Sequence, residues 1–88
     1  MARVLAGLRG VKIEEIKSVL EADAPNHAGQ GLYLEHLWQN SDDPDEVVFL
    51  FRTENLDHSK RFIEEVHAQA LKDDPTANLP HMTFLEEK

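Results

Sequence analysis

The sequence predicts an α+β domain of order β-α-β-β-α-β: four antiparallel strands carrying two helices on one face, the ferredoxin-like arrangement. Two observations lead there. The hydrophobic period switches between two and 3.6 along the chain, giving strand-like and helix-like segments in that order. An acidic, turn-rich segment also sits mid-chain between two strand-like stretches, as a hairpin requires. At 88 residues the chain holds one domain, residues 1–88.

Arg3–Gly10 opens the chain as a strand: Val4, Ala6 and Leu8 alternate with Arg3, Leu5, Gly7 and Arg9. From Lys12 the period lengthens. Ile13, Ile16, Val19 and Leu20 share one helical stripe, with Glu14, Glu15, Lys17 and Glu21 opposite. Pro25 lacks a backbone donor and crowds the preceding turn, so the helix is expected to fail or bend there. Asp23 could cap a second short turn. Gly29-Gln30-Gly31 closes the segment, which puts His27 in a Pro/Gly-rich loop.

Leu32–Asn40 reads as the second strand and Ser41–Asp45 as a turn, because Asp and Ser bond their own backbone and Pro fixes φ. Glu46–Thr53 is the most apolar stretch and reads as a central strand buried on both faces for most of its length. Asn55 is placed to cap a second helix, whose stripe is Leu56, Ser59, Phe62, Ile63, Val66 and Ala70. That helix stops by Asp73-Asp74-Pro75. His81–Glu86 supplies the last strand, with Met82 and Phe84 on one side and His81, Thr83 and Leu85 on the other.

Composition narrows the function classes. Seventeen acidic against nine basic residues give a net charge of −8, which repels phosphate backbones, so no nucleic-acid partner is expected. The absence of cysteine excludes disulfides, thiolate metal sites and cysteine nucleophiles. No apolar run approaches the ~20 residues of a membrane span or the pattern of a signal peptide, so the expected setting is cytoplasmic, without a membrane. A chain this short buries only roughly 60–65% of its unfolded surface, so its core should be thin.

Gly31-Leu32 opening the second strand, the acidic Ser41–Asp45 hairpin, and the Val47–Thr53 strand running into an Asn55-capped helix together resemble the dimeric α+β barrel superfamily. That group includes antibiotic-biosynthesis-type monooxygenases. The resemblance covers about two-thirds of the chain. It implies a homodimer in which the helix-free faces of two sheets pack together, often around a pocket. Monooxygenase members typically carry an acidic residue late in the third strand, where this chain has Phe51-Arg52. The departure weighs against the oxygenase chemistry of that family.

The helix-free face carries the candidate site. Periodicity assigns to it Arg3, Leu5, Gly7 and Arg9, Val48, Leu50 and Arg52, and His81, Thr83 and Leu85. It is too apolar for a solvated surface, which points to a homodimer interface. Three of the four arginines, Arg3, Arg9 and Arg52, fall there. Guanidinium forks suit carboxylates, so these arginines with Trp38 are candidate ligand-binding residues for a small organic or anionic molecule. Pairing with Glu35, Glu46 or Glu86 across subunits is the plainer role. His36 and Trp38 share one strand face, opposite Tyr33, Glu35, Leu37 and Gln39. The hairpin register decides which set faces the site, since a one-residue slip exchanges them. With His36 and Trp38 inward, His36 and His81 are the candidate catalytic acid/base groups.

No metal site is expected. His58 and His67, nine residues apart, point about 180° apart on a helix. His36 and His81 could meet across strands, without a third ligand. The Asp42-Asp43-Asp45-Glu46 cluster lacks the loop of a calcium site and reads as an edge-protecting turn. No phosphate-binding glycine motif, nucleophile elbow or serine-histidine pairing is present, and no cofactor is expected. The favoured function is therefore ligand binding at a dimer. The alternative is a cofactor-independent monooxygenase, isomerase or cyclase acting on a small organic substrate. A third possibility, docking of a protein partner, rests on the acidic charge alone.

Overall fold

The structure, a computed structural model, describes residues 1–88. Its elements follow the expected order: β1 (Ala2–Arg9), α1 (Ile13–Gly29), β2 (Leu32–Asn40), β3 (Asp43–Thr53), α2 (Leu56–Asp73) and β4 (His81–Glu86). The strands form one antiparallel sheet in the order β2-β3-β1-β4, so the two central strands are β3 and β1.

Alternation along the strands sorts side chains between the two faces. Val4 pairs with Phe51 and Phe84, and Ala6 with Phe49 and Met82, all on the helix-covered side. Val4, Ala6, Phe49 and Phe51 build the core with Leu20, Leu32, Val47 and Ile63, and the partly buried Met82 and Phe84 pack against it. Arg3, Leu5 and Gly7 face the other way, opposite Arg52, Leu50 and Val48 on one flank and Leu85, Thr83 and His81 on the other. Only ten of 88 residues are buried, which confirms a thin core. β3 is buried on its helix-facing side alone. Val48 and Leu50 are partly exposed on the open face, because nothing in the chain covers that side.

Two local expectations need correction. α1 runs uninterrupted through Pro25 to Gly29, so His27 lies in a helix and not a loop. Pro25 denies a partner to the carbonyl of Glu21, one turn earlier, and both residues are exposed, so water can replace the lost bond. The helix then ends where Gly31, at φ 77°, takes the left-handed conformation and its N–H donates to the Ala28 carbonyl. The hairpin is also tighter than its composition implies. Only Ser41 and Asp42 lie in the loop, and β3 begins at Asp43. Pro44 is tolerated because Asp43 pairs with Asn40 while Val47 pairs with Gln39, so the residues between them bulge out of the ladder.

α2 is fixed at its start. The Asn55 side chain accepts from the His58 N–H at 3.1 Å, as its N-cap position requires. The buried Ser59 and Thr53 hydroxyls bond each other at 2.6 Å, tying the first turn to the end of β3. Ser59 and Ile63 of the predicted stripe are buried, whereas Val66 remains 48% exposed.

Candidate functional site

A register shift on β2 decides the question that alternation left open. Tyr33 pairs with Arg52 and Leu34 with Phe51, but the next pair is His36 with Leu50, so Glu35 is an extra residue. Such a bulge puts Tyr33 and, beyond it, His36 and Trp38 on the same side, while Leu37 falls opposite the core residue Phe49. Tyr33 stays on the open face, where the Arg52 guanidinium lies 4.5 Å from its ring centroid. Glu35 reaches across β3 to the Arg3 guanidinium at 2.5 Å. His36 and Trp38, opposite Leu50 and Val48, stack with ring centroids 4.9 Å apart.

The open face therefore has a charged end and an apolar middle. Arg3 is paired with Glu35 and Arg52 lies over Tyr33, whose phenol the neighbouring Glu54 carboxylate holds above its ordinary pKa. Arg9 stands at the far rim, largely exposed, and donates to Glu46 at 2.7 Å. Asn40 also donates to Glu46, at 2.6 Å. Two of the three acids expected to meet these arginines do so, but within one chain. His36 and His81 sit on opposite outer strands with β3 and β1 between them, roughly 14 Å at ordinary strand spacing, so they do not meet in one protomer.

An apolar cleft lies on the other face, between α1, α2 and the sheet. It measures about 280 Å³, and its walls are largely apolar: Leu20 from α1, Leu32, Phe49 and Phe51 from the sheet, Phe62 and Ile63 from α2. Val19 and Val66, each about half exposed, flank its opening. The polar lining is sparse: Asp23, Asn26 and His27 from α1 and His67 from α2. His27 sets its ring edge-on to Phe51 at 5.2 Å. Burial pushes the His27 imidazole below its ordinary value near 6.5, with Asp23 one turn earlier opposing the shift. Burial alone lowers His67. Both rings are therefore neutral bases at pH 7. Nowhere in the chain do three His, Asp or Glu side chains converge as a metal-binding set.

Sequence reading missed this pair. His67 falls four residues after Ile63, on the apolar stripe of α2. His27 continues Ile16, Leu20 and Asp23 at spacings of four, three and four, a face visible only once the helix is carried past Pro25.

No protein-family model matches the chain, and no curated protein sequence matches it. Solved structures do. A crystal structure from Deinococcus radiodurans, named as a proposed antibiotic biosynthesis monooxygenase, superposes with a TM-score of 0.63 over 100% of this chain and 93% of its own, at 15% identity. An uncharacterised NIPSNAP domain protein from Burkholderia xenovorans superposes at 0.59 over 100% and 95%, at 18% identity. The fold is ferredoxin-like. At these identities the likeness is one of fold, and the resemblance carried by Gly31-Leu32, the acidic hairpin and the Val47–Thr53 strand holds at that level. In this ferredoxin-like chain, no helix is long and apolar enough to cross a membrane.

Proposed function

We propose that this protein binds a small, mostly apolar organic molecule in the cleft between its helices and sheet, and that it works as a homodimer closed through the open sheet face. The cleft carries the reading: about 280 Å³ of apolar wall interrupted by two imidazoles, the lining expected of a small-molecule site. Arg3, Arg52 and Trp38 belong to the interface in this reading, together with His36 and His81. Arg9 serves the hairpin end through Glu46.

The dimer has independent support. The chain exposes 5882 Å², about 640 Å² more than the ~5,240 Å² of a compact monomer of its 10.0 kDa mass. The apolar middle of the open face, Leu5, Val48, Leu50 and Trp38, is the natural surface to cover.

The experiment is a titration with 2-acetylnaphthalene, an uncharged probe of suitable size, followed by calorimetry. Saturable one-to-one binding is expected. Val66→Trp, at the exposed cleft opening, should weaken it by about ten-fold, or ~1.4 kcal/mol, by filling the entrance. No binding to the wild-type chain, or unchanged binding to the variant, would sink the cleft as the site.

A second reading is favoured by the two neutral imidazoles, each able to take a proton from a bound substrate. It makes the protein a cofactor-independent enzyme of monooxygenase, isomerase or cyclase type, in line with the name of the Deinococcus structure. Turnover lost on His27→Gln or His67→Gln with binding retained would select it.

A further inference from the structure

We propose that the cleft selects uncharged apolar molecules bearing a carbonyl or hydroxyl group over the corresponding anions, and that this preference shrinks or reverses as the medium turns acidic. The inference rests on the reading of the cleft as a ligand site and names the chemical class it accepts.

The lining sets the charge rule. No Lys or Arg lines the cleft, so a bound anion would find no fixed cation there. An unpaired ion against Leu20, Leu32, Phe49 and Phe51 keeps its full desolvation cost. Asp23 is the only ionisable lining group besides the two histidines, and its carboxylate repels a second negative charge. β1, β2, β3, β4 and the segment before β4 present only apolar side chains to the cleft.

The histidines set the hydrogen-bonding rule. His27 projects from α1 and His67 from α2, and neither ring hydrogen-bonds to another protein group. A neutral imidazole offers one N–H donor and one nitrogen acceptor. A ketone oxygen can take a donor from either ring, and a hydroxyl can use a donor and an acceptor together. A carboxylate or phenolate offers acceptors only, and brings a charge with no partner.

Acid changes both rules. A ligand that fills the cleft strips water from the imidazoles, which costs more once they are charged. Binding of an uncharged molecule therefore expels protons and weakens as pH falls. A carboxylate gains the cationic partner it lacked at neutral pH, and strengthens.

The test compares 2-acetylnaphthalene with 2-naphthoate, which differ only in a methyl group against a carboxylate oxygen, by calorimetry at about pH 8 and about pH 5.5. The ketone is expected to bind on the order of ten-fold more tightly at the higher pH, with the ratio falling several-fold at the lower. His27→Gln/His67→Gln keeps hydrogen-bonding groups that do not titrate and should make the ratio independent of pH. Circular dichroism at both pH values checks that each protein is folded. Should the double variant fail that check, the ring-proton resonances of wild-type His27 and His67 serve instead, and their titration midpoints should drop when the ketone is added. If neither probe binds at pH 8, the cleft is not a ligand site and both readings fall. If the ketone binds but naphthoate binds as tightly, the selection rule alone is overturned. The same holds if the ratio is unchanged by acid, or if its pH dependence survives in the folded variant.

Discussion

His27 and His67 couple the stability of the fold to pH. Each is held below the ordinary imidazole value near 6.5 by burial, so between that value and the lower folded one the unfolded chain binds more protons than the folded chain. Stability contributed by these groups is therefore fully present above about pH 6.5 and declines as pH falls through the window below it. Urea unfolding at steps between pH 8 and 5 should show that decline, and the double glutamine variant should flatten it. A decline of equal slope in the variant would mean that groups other than these two imidazoles carry the effect. The sequence places His67 on the second helix but reads His27 as loop, and it gives the neighbours of neither. His67 lay on a stripe already read as core, where an imidazole passes as a flanking group. His27 was lost because one proline overrode a period that otherwise ran through it.

Pro25 shows how an element can survive a residue that local rules forbid. A helix-interior proline costs about 3 kcal/mol relative to alanine, but this one sits in the exposed final turns of α1. On either side of it, Leu20 and the contact of His27 with Phe51 hold the helix to the sheet, and the Gly31 cap closes it. Tertiary packing thus outweighs the local penalty. Pro25→Ala is expected to stabilise the protein by roughly 1–2 kcal/mol, raising the thermal midpoint by several degrees in a chain this size. A lower midpoint would mean that the fixed φ of Pro25 is needed to terminate the helix. The β2 bulge is the other element-scale feature beyond the reach of periodicity. Strict alternation allows either Tyr33 and Glu35 or His36 and Trp38 on the open face, and one inserted residue allows both. Its only trace in the sequence is the long-range pairing of Glu35 with Arg3, which needs the fold to be seen. By contrast, the faces of β1, β3 and β4 were legible, because unbroken alternation in central or short strands leaves one arrangement that sets Val4, Phe49 and Phe84 together on the helix-covered side.

At the scale of the whole molecule, the proposed function gives the two faces of the sheet different tasks. One holds the cleft beneath the helices. The other presents Leu5, Leu50 and Trp38 between the charged pairs at its end, a surface that a second copy can match because a two-fold axis sets each patch against itself. Leu50 stands at its middle, opposite Leu5 on one side and His36 on the other. Light scattering after size exclusion should give a species of about 20 kDa, twice the 10.0 kDa chain. Leu50→Glu should reduce it to a monomer, since an interface that closes on Leu50 would bury two unpaired carboxylates. Helical content should stay the same, because Leu50 is already partly exposed in the single chain and contributes nothing to the core beneath the helices. A wild-type monomer at all concentrations would remove the dimer from the proposed function. The cleft is built wholly from one chain and faces away from Leu50, so the monomeric variant should bind 2-acetylnaphthalene as the wild type does. Loss of binding along with dimerisation would mean that the cleft depends on the partner for its shape, through the sheet on which both faces are built.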